Sequence, residues 1–247
     1  MSRITETVKH LIILNVIFYI GSQIVGPPAY ELFALYFPKN EHFHIWQLVS
    51  HMFMHDSQSI MHILFNMLGL WMFGSPLEQI LGRNRFLFFY FSAGIGAALI
   101  HTLVNYYQFN DAYQSMLGAG FSENEIIKFA QSGSYRSDLP IGQDILKDLY
   151  TTFNTPAVGA SGALYGILVA FGMMFPNTSL FLMFIPIPIK AKYFIPGLIL
   201  MDLYSGFTGS SIFGSGIAHF AHIGGALFGF LMMWYWKKNS FNDKRWY

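Results

Sequence analysis

The chain alternates long apolar stretches with shorter polar connections. Six apolar stretches stand out, near 8–25, 60–78, 86–107, 156–175, 193–209 and 216–236. Each approaches the ~20 residues that a tilted helix needs to cross a bilayer. The pattern predicts an all-α membrane protein, a six-transmembrane-helix bundle that forms a single integral membrane domain over residues 1–247.

Two of the predicted connections, 26–59 and 108–155, are much longer than the others. The first is rich in aromatic residues and only partly polar, which is typical of a segment at the membrane interface. In the second, Ser122 with Glu125 has the spacing of a capping box at the start of a short helix. Apolar residues recur at helical spacing after Pro140, which predicts a second short helix there. We interpret this loop as a solvated or interfacial connector rather than a binding site.

Composition supports a membrane protein and excludes several other classes. Only 11% of the residues are charged, against about 25% in soluble domains. The net charge is +1, so nucleic acid is not a predicted partner, whereas the lipid bilayer is. The absence of cysteine excludes disulfides, thiolate metal sites and cysteine nucleophiles.

The basic residues predict how the segments are oriented. If the N-terminus lies inside, ten of the 14 lysine and arginine residues fall in inner segments. The positive-inside rule therefore places both termini in the cytoplasm. Segments two, four and six then run from the outer side to the inner side.

Polar residues inside these three segments are costly in lipid and each needs a reason. In segment two, His62 and Asn66 are four residues apart and share one helix face. In segment four, Ser161 follows Gly159 and precedes Gly162 near the outer end. Segment six presents four residues on one face: His219, His222, Gly225 and Gly229.

Topology brings these residues to a similar depth. Ser161 lies roughly 7 Å below the outer surface at 1.5 Å per residue, and His62 and His222 enter at comparable depth. Small residues on segments four and six allow close helix packing, so Ser161 and His222 can meet as a nucleophile and its base. His62 and Asn66 can donate hydrogen bonds to a developing oxyanion.

Other interpretations of the same residues remain open. Serine and glycine are also common where membrane helices simply pack, and a polar-lined transporter or channel accounts for the intramembrane histidines equally well. Clusters such as His51, His55 and His62, or His219 with His222, could bind a metal. However, the sequence contains no HExxH motif, and carboxylates are sparse within the spans, so we predict neither metal nor cofactor. Asp202, in segment five, has no evident role beyond a neutral or hydrogen-bonded structural one.

The motifs resemble those of the rhomboid intramembrane serine proteases. Gly159-Ala160-Ser161-Gly162 is similar to the family's GxSG, and the sixth segment from Ala221 to Gly229 is similar to its AHxxGxxxG. His62 to Asn66 is similar to its second-span HxxxN. Further similarities are Trp46-Gln47 in the first loop, the turn formed by Glu78, Gly82 and Arg85, and Tyr165.

The resemblance implies a serine endopeptidase with both termini cytoplasmic and its active site toward the outer side of a bacterial inner (cytoplasmic) membrane. Ser161 would be the nucleophile and His222 the base, with His62, Asn66 and the Ser161 backbone N–H forming the oxyanion hole. Gly159, Gly162, Tyr165, His219 and Gly225 would support the site. The implied partners are single-span or multi-span membrane protein substrates. A catalytically idle pseudoprotease is the alternative within the family, although its inactive members lose the serine or the histidine.

Two features depart from the family pattern. Gln47 stands where the first loop usually has arginine, which puts the usual anchoring of that loop in question. The 108–155 loop is longer than in the minimal family core.

Overall fold

The structure is a computed structural model that describes residues 3–135, 140–182, 185–209 and 218–239, without the side chains of 181–182 and 185–187. It is mostly helical. The helices are α1 Glu6–Val25, α2 Pro27–Phe33, α3 Gln47–Ser50, α4 Ile60–Gly69, α5 Ser75–Leu81, α6 Arg83–Gly118, α7 Glu123–Ser132, α8 Gln143–Asn154, α9 Ser161–Met174, α10 Ala191–Thr208 and α11 His219–Asn239. Two strands, β1 Ser179–Leu182 and β2 Ile185–Lys190, form an antiparallel hairpin between α9 and α10.

Several helices have the length and composition of membrane spans. Within the described ranges, Glu6–Val25, Ile60–Leu81 and Arg83–Gly118 are long and apolar enough to cross a bilayer, and Ser161–Met174 is a shorter apolar helix. The chain is therefore an integral membrane protein. The predicted start of the sixth segment, near 216, lies outside the described residues, as do Arg136, Lys244 and Arg245.

Helix α9 lies at the centre of the bundle and packs against both α6 and α11. Glycines make the contact with α11 close. A β-carbon on Gly225 would lie 1.8 Å from the Gly162 carbonyl oxygen, and one on Gly229 would lie 2.5 Å from the Gly166 Cα. The two backbones therefore touch along this glycine seam, as the small residues of the two segments predict.

The second predicted span is one continuous helical stretch with an irregular middle. A π-helical turn, Leu70–Gly74, joins α4 to α5 without a break. Pro76, two residues after its end, lacks the N–H that a regular helix needs. Because a proline ring clashes with the carbonyl group four residues earlier, the wider turn accommodates it.

Helix α6 extends beyond the predicted end of its span. The apolar pattern ends near 107, whereas the helix continues to Gly118. Its 36 residues correspond to about 54 Å, well beyond the ~30 Å hydrocarbon core. Helices α7 and α8 pack on this extension around a second apolar core that includes Phe109, Met116, Ile126 and Leu149. The capping box of Ser122 and Glu125 is present at the start of α7.

The first long loop is organised around the buried amide of Gln47. Its Oε1 accepts hydrogen bonds from the backbone N–H groups of Tyr36 and His44, each at 3.2 Å. Its Nε2 donates to the carbonyl groups of Glu31 at 2.9 Å and His42 at 2.7 Å. The amide thus supplies acceptors as well as donors, whereas an arginine side chain has donors only. Gln47 anchors this loop without a charge.

Candidate active site

Ser161 is the first residue of α9 and lies at the end of an extended segment. The backbones of Leu35 and Ala157 pair through two hydrogen bonds of 2.9 and 3.0 Å. The Gly159 N–H donates to the His51 carbonyl at 3.0 Å. Gly159 has φ +123°, a conformation that residues with a side chain rarely adopt. These contacts tie the segment before Ser161 to the first loop and fix where α9 begins, five residues later than the predicted 156.

The hydroxyl group of Ser161 meets the imidazole of His222 on α11. Ser161 Oγ lies 2.9 Å from His222 Nε2, within the reach of a nucleophile and its general base. The glycine seam between α9 and α11 allows this approach. The His222 side chain is only 12% exposed, so the ring is largely screened from bulk solvent.

On its other side, His222 contacts Asp202, a residue for which the sequence indicated no functional role. Asp202 Oδ1 lies 3.1 Å from His222 Nδ1 and 2.6 Å from His219 Nδ1. If the proton of the neutral His222 ring is on Nδ1, Nε2 is free to accept the Ser161 proton. The one signal in the sequence was that a carboxylate inside an apolar helix needs a partner.

Tyr165 packs against the His222 ring and is itself held by Asp202. The two rings are stacked, with centroids 4.2 Å apart and an interplanar angle of 12°. The Tyr165 hydroxyl donates a short hydrogen bond to Asp202 Oδ2. His222 is therefore fixed by Ser161, by Asp202 and by the face of Tyr165.

His62 lies beside Gly159, close to the Ser161 hydroxyl group. The Asp56 N–H donates to His62 Nδ1 at 3.3 Å, so the proton of a neutral ring is on Nε2. A β-carbon on Gly159 would lie 2.9 Å from His62 Nε2 and 3.5 Å from Ser161 Oγ. Gly159 thus leaves space between a potential donor and the hydroxyl group.

Asn66 has a less direct relation to Ser161. Its Nδ2 donates to the His62 carbonyl at 2.8 Å, so one of its two N–H bonds is used within its own helix. Its Oδ1 is buried without a hydrogen-bond partner in the described part of the chain. The contribution of Asn66 to an oxyanion hole remains a prediction.

Two further histidines of the first loop support this region. His51 carries the carbonyl that binds Gly159, and the His55 ring lies edge-on to the His62 ring at 5.2 Å between centroids. Burial lowers the pKa of His51 to about 4 and that of His55 to about 4. Both are therefore neutral at physiological pH.

The group formed by Asp202, His219 and His222 has donor atoms of the type that bind zinc. One ligand atom from each lies within 4.8 Å of the others. The same atoms are also engaged in hydrogen bonds to one another, which satisfy them without a cation. The expectation that no metal takes part remains a prediction.

The arrangement contains the kinds of group that acyl transfer uses. The structure brings Ser161, His222 and Tyr165 together, joins His219 to them through Asp202, and puts His62 across Gly159 from Ser161. Gly162 and Gly225 form the close helix contact beneath. A hydroxyl group, two imidazoles and a carboxylate, the side-chain types from which such sites are built, are thus present at one place.

A family model and several curated proteins are similar to this chain, and all of them indicate the same family. The family model described as "Rhomboid domain" matches residues 42–124 and 139–239. "Presenilin-associated rhomboid-like protein, mitochondrial" of Bos taurus is 30% identical over 72% of this chain and 34% of its own length. "Rhomboid protein 1, mitochondrial" of Saccharomyces cerevisiae is 26% identical over 73% of this chain and 39% of its own. "Rhomboid protease AarA" of Providencia stuartii is 27% identical over 76% of this chain and 54% of its own. The chain therefore spans between about a third and about half of the length of these relatives.

Proposed function

The chain belongs to the rhomboid family, and we propose that it is an intramembrane serine endopeptidase. Its substrates in this proposal are single-span or multi-span membrane proteins. The observation that supports the proposal most directly is the 2.9 Å contact between Ser161 Oγ and His222 Nε2. Ser161 is the proposed nucleophile and His222 the proposed general base.

The proposed reaction has two stages. His222 Nε2 takes the Ser161 proton as Oγ attacks the scissile carbonyl carbon, and the imidazolium then gives that proton to the leaving amine. Water, activated by His222, hydrolyses the acyl-enzyme and restores Ser161. The Ser161 N–H, in the first turn of α9 where amides lack intrahelical partners, and His62 Nε2–H are the proposed oxyanion donors. Each such donor contributes about 3 kcal/mol in other enzymes. Asn66 is proposed as a further donor through its remaining N–H.

The proposed topology has six spans, with α10 and α11 as the fifth and sixth. Both termini are cytoplasmic in this proposal, because ten of 14 basic residues then fall on the inner side. Ser161 then opens toward the outer side, where water can reach it. We propose the bacterial cytoplasmic membrane as the location. The relatives include mitochondrial proteins as well as one from a bacterium, so targeting has to be tested by localising the tagged protein.

Lateral entry of the substrate is the proposed mode of binding. A transmembrane segment that reaches Ser161 must expose part of its backbone, which a wet, protein-lined site tolerates and lipid does not. The exposed apolar side chains of Leu32, Ile45 and Trp46 in the first loop are consistent with a loop in the outer interface beside such an entrance.

Proteolysis in liposomes tests the proposal against the alternatives. The wild-type protein is expected to cleave a single-span substrate, and Ser161→Ala to remove cleavage while the thermal unfolding transition is retained. A polar-lined transporter predicts solute flux that survives Ser161→Ala. A metal-dependent enzyme predicts loss of activity with a chelator and recovery with zinc. A substrate-binding pseudoprotease predicts that the wild-type protein retains the substrate uncleaved.

A further inference from the structure

Asp202 is a carboxylate inside the apolar helix α10, and the proposed reaction assigns it no role. Asp202 is 6% exposed and lies on α10, whereas Ser161 and His222 lie on α9 and α11. An ionisable side chain at membrane depth is expensive and usually has a function. We propose that Asp202 is a positioning residue that extends the Ser161–His222 pair to a triad. This inference rests on the proposed function.

The hydrogen bonds of Asp202 fit an ionised carboxylate. The two oxygens accept from three donors, the rings of His219 and His222 and the hydroxyl group of Tyr165. A carboxylate can accept about four hydrogen bonds, and donors around it compensate for its removal from water. His219 and Tyr165 therefore hold the carboxylate in place, and His222 is the donor that also contacts Ser161.

The contact with His222 has two chemical consequences. Asp202 Oδ1 keeps the ring proton on Nδ1, so that Nε2 faces the Ser161 hydroxyl group as an acceptor. When His222 takes the Ser161 proton, the carboxylate lies 3.1 Å from the new positive charge and stabilises it. The proton moves from Ser161 Oγ to His222 Nε2, and Asp202 stays ionised throughout.

Asp202 also fixes the plane of the ring. Through Tyr165 it holds the aromatic face that stacks on His222 at 4.2 Å. One carboxylate thus restrains His222 at its edge directly and at its face indirectly. A role limited to filling hydrogen bonds would not predict that both restraints act on the histidine beside the nucleophile.

The first test measures which ring nitrogen of His222 carries the proton in the wild-type protein. With ¹⁵N-labelled histidine, the ring signals of His222 are assigned by their loss in His222→Gln. The inference predicts the Nδ1-protonated neutral form in the wild type and a shift toward the Nε2-protonated form in Asp202→Asn. An Nε2-protonated ring in the wild type would overturn it, and this result does not depend on whether Asp202→Asn folds or on whether the protein cleaves a substrate.

The second test separates positioning from substrate binding. Asp202→Asn is expected to lower kcat on a single-span substrate about 10²- to 10⁴-fold, by analogy with triads in soluble proteases, and to leave KM within about threefold. The rate of labelling by a fluorophosphonate should fall in parallel. Ser205→Ala, a buried position three residues further along α10, is the matched control and should keep wild-type rates.

The outcomes keep the two proposals apart. A folded Asp202→Asn protein with wild-type kcat and labelling would overturn the role of Asp202 and leave the protease intact. A folded wild-type protein that neither cleaves nor reacts with the fluorophosphonate would overturn the proposed function, while the ring signals would still report whether Asp202 sets the tautomer.

Discussion

The close contact between α9 and α11 predicts that one methyl group added at Gly225 strongly lowers the reactivity of Ser161. In Gly225→Ala, the new β-carbon would lie 1.8 Å from the Gly162 carbonyl oxygen and 2.7 Å from the carbon of that group. Real β-carbons essentially never approach a heavy atom more closely than 3.0 Å. Both atoms are backbone, so the two helices must separate by about 1.2 Å or more for the methyl group to fit.

This displacement acts on the Ser161–His222 contact because the seam lies directly below it. If the helices move apart as rigid bodies, the 2.9 Å distance between Oγ and Nε2 grows to roughly 4 Å, beyond the ~3.2 Å limit of a productive hydrogen bond. A misplacement of about 1 Å can cost on the order of 10²-fold in rate. Overpacking should also cost about 1–3 kcal/mol of stability.

The assay is the rate of fluorophosphonate labelling, normalised to the folded fraction measured by thermal unfolding in detergent. Gly21→Ala is the matched control, because a β-carbon on Gly21 in α1 would meet nothing within 4 Å. It should keep the labelling rate and unfold at the same temperature or slightly above. A folded Gly225→Ala protein that labels as fast as the wild type would refute the argument that the glycine seam sets the geometry of the pair.

Two further predictions concern the first loop. Gln47→Glu removes both side-chain N–H donors and places a buried carboxylate next to the carbonyl groups that accepted from them. The free energy of unfolding should therefore fall by about 2–4 kcal/mol. An unchanged melting temperature at neutral pH would contradict the anchoring role of the amide. His51 and His55 have pKa values of about 4 in the folded protein against about 6.5 when unfolded, so below pH 6.5 the unfolded state binds more protons and stability falls as the pH drops toward 4. The loss is on the order of 3 kcal/mol for each histidine. His55→Phe should reduce the difference in melting temperature between pH 7.5 and pH 5.0. A difference as large as in the wild type would contradict the lowered pKa of His55 as its cause.

The apolar pattern predicted the main helices because hydropathy reports which segments contact lipid. It did not predict where helices end. The pattern changes near 107 where α6 leaves the apolar region, yet the backbone stays helical to Gly118 because α7 and α8 provide a second core for it. The β-hairpin between α9 and α10 was missed because its strands, four and six residues long, lie in a connection that the apolar pattern left without structure.

Depth and helix spacing were enough to group Ser161, His222 and His62, because residues at the same level of neighbouring helices must lie near one another. Asp202 could not be placed in this way. Its side chain reaches His222 only through the packing of α10 against α11, and a sequence does not specify which face of a uniformly apolar helix points inward. The role of Gln47 was hidden for a similar reason, since all five hydrogen-bond partners of its side chain are backbone groups.

The central claim is that Ser161 is a nucleophile activated by His222. The most direct measurement is mass-spectrometric mapping of the residue that a fluorophosphonate modifies in the full, folded chain. The account predicts modification at Ser161 in the wild type and none in Ser161→Ala or His222→Ala. Modification that persists in folded Ser161→Ala, or a folded wild type in which Ser161 stays unmodified, would contradict it.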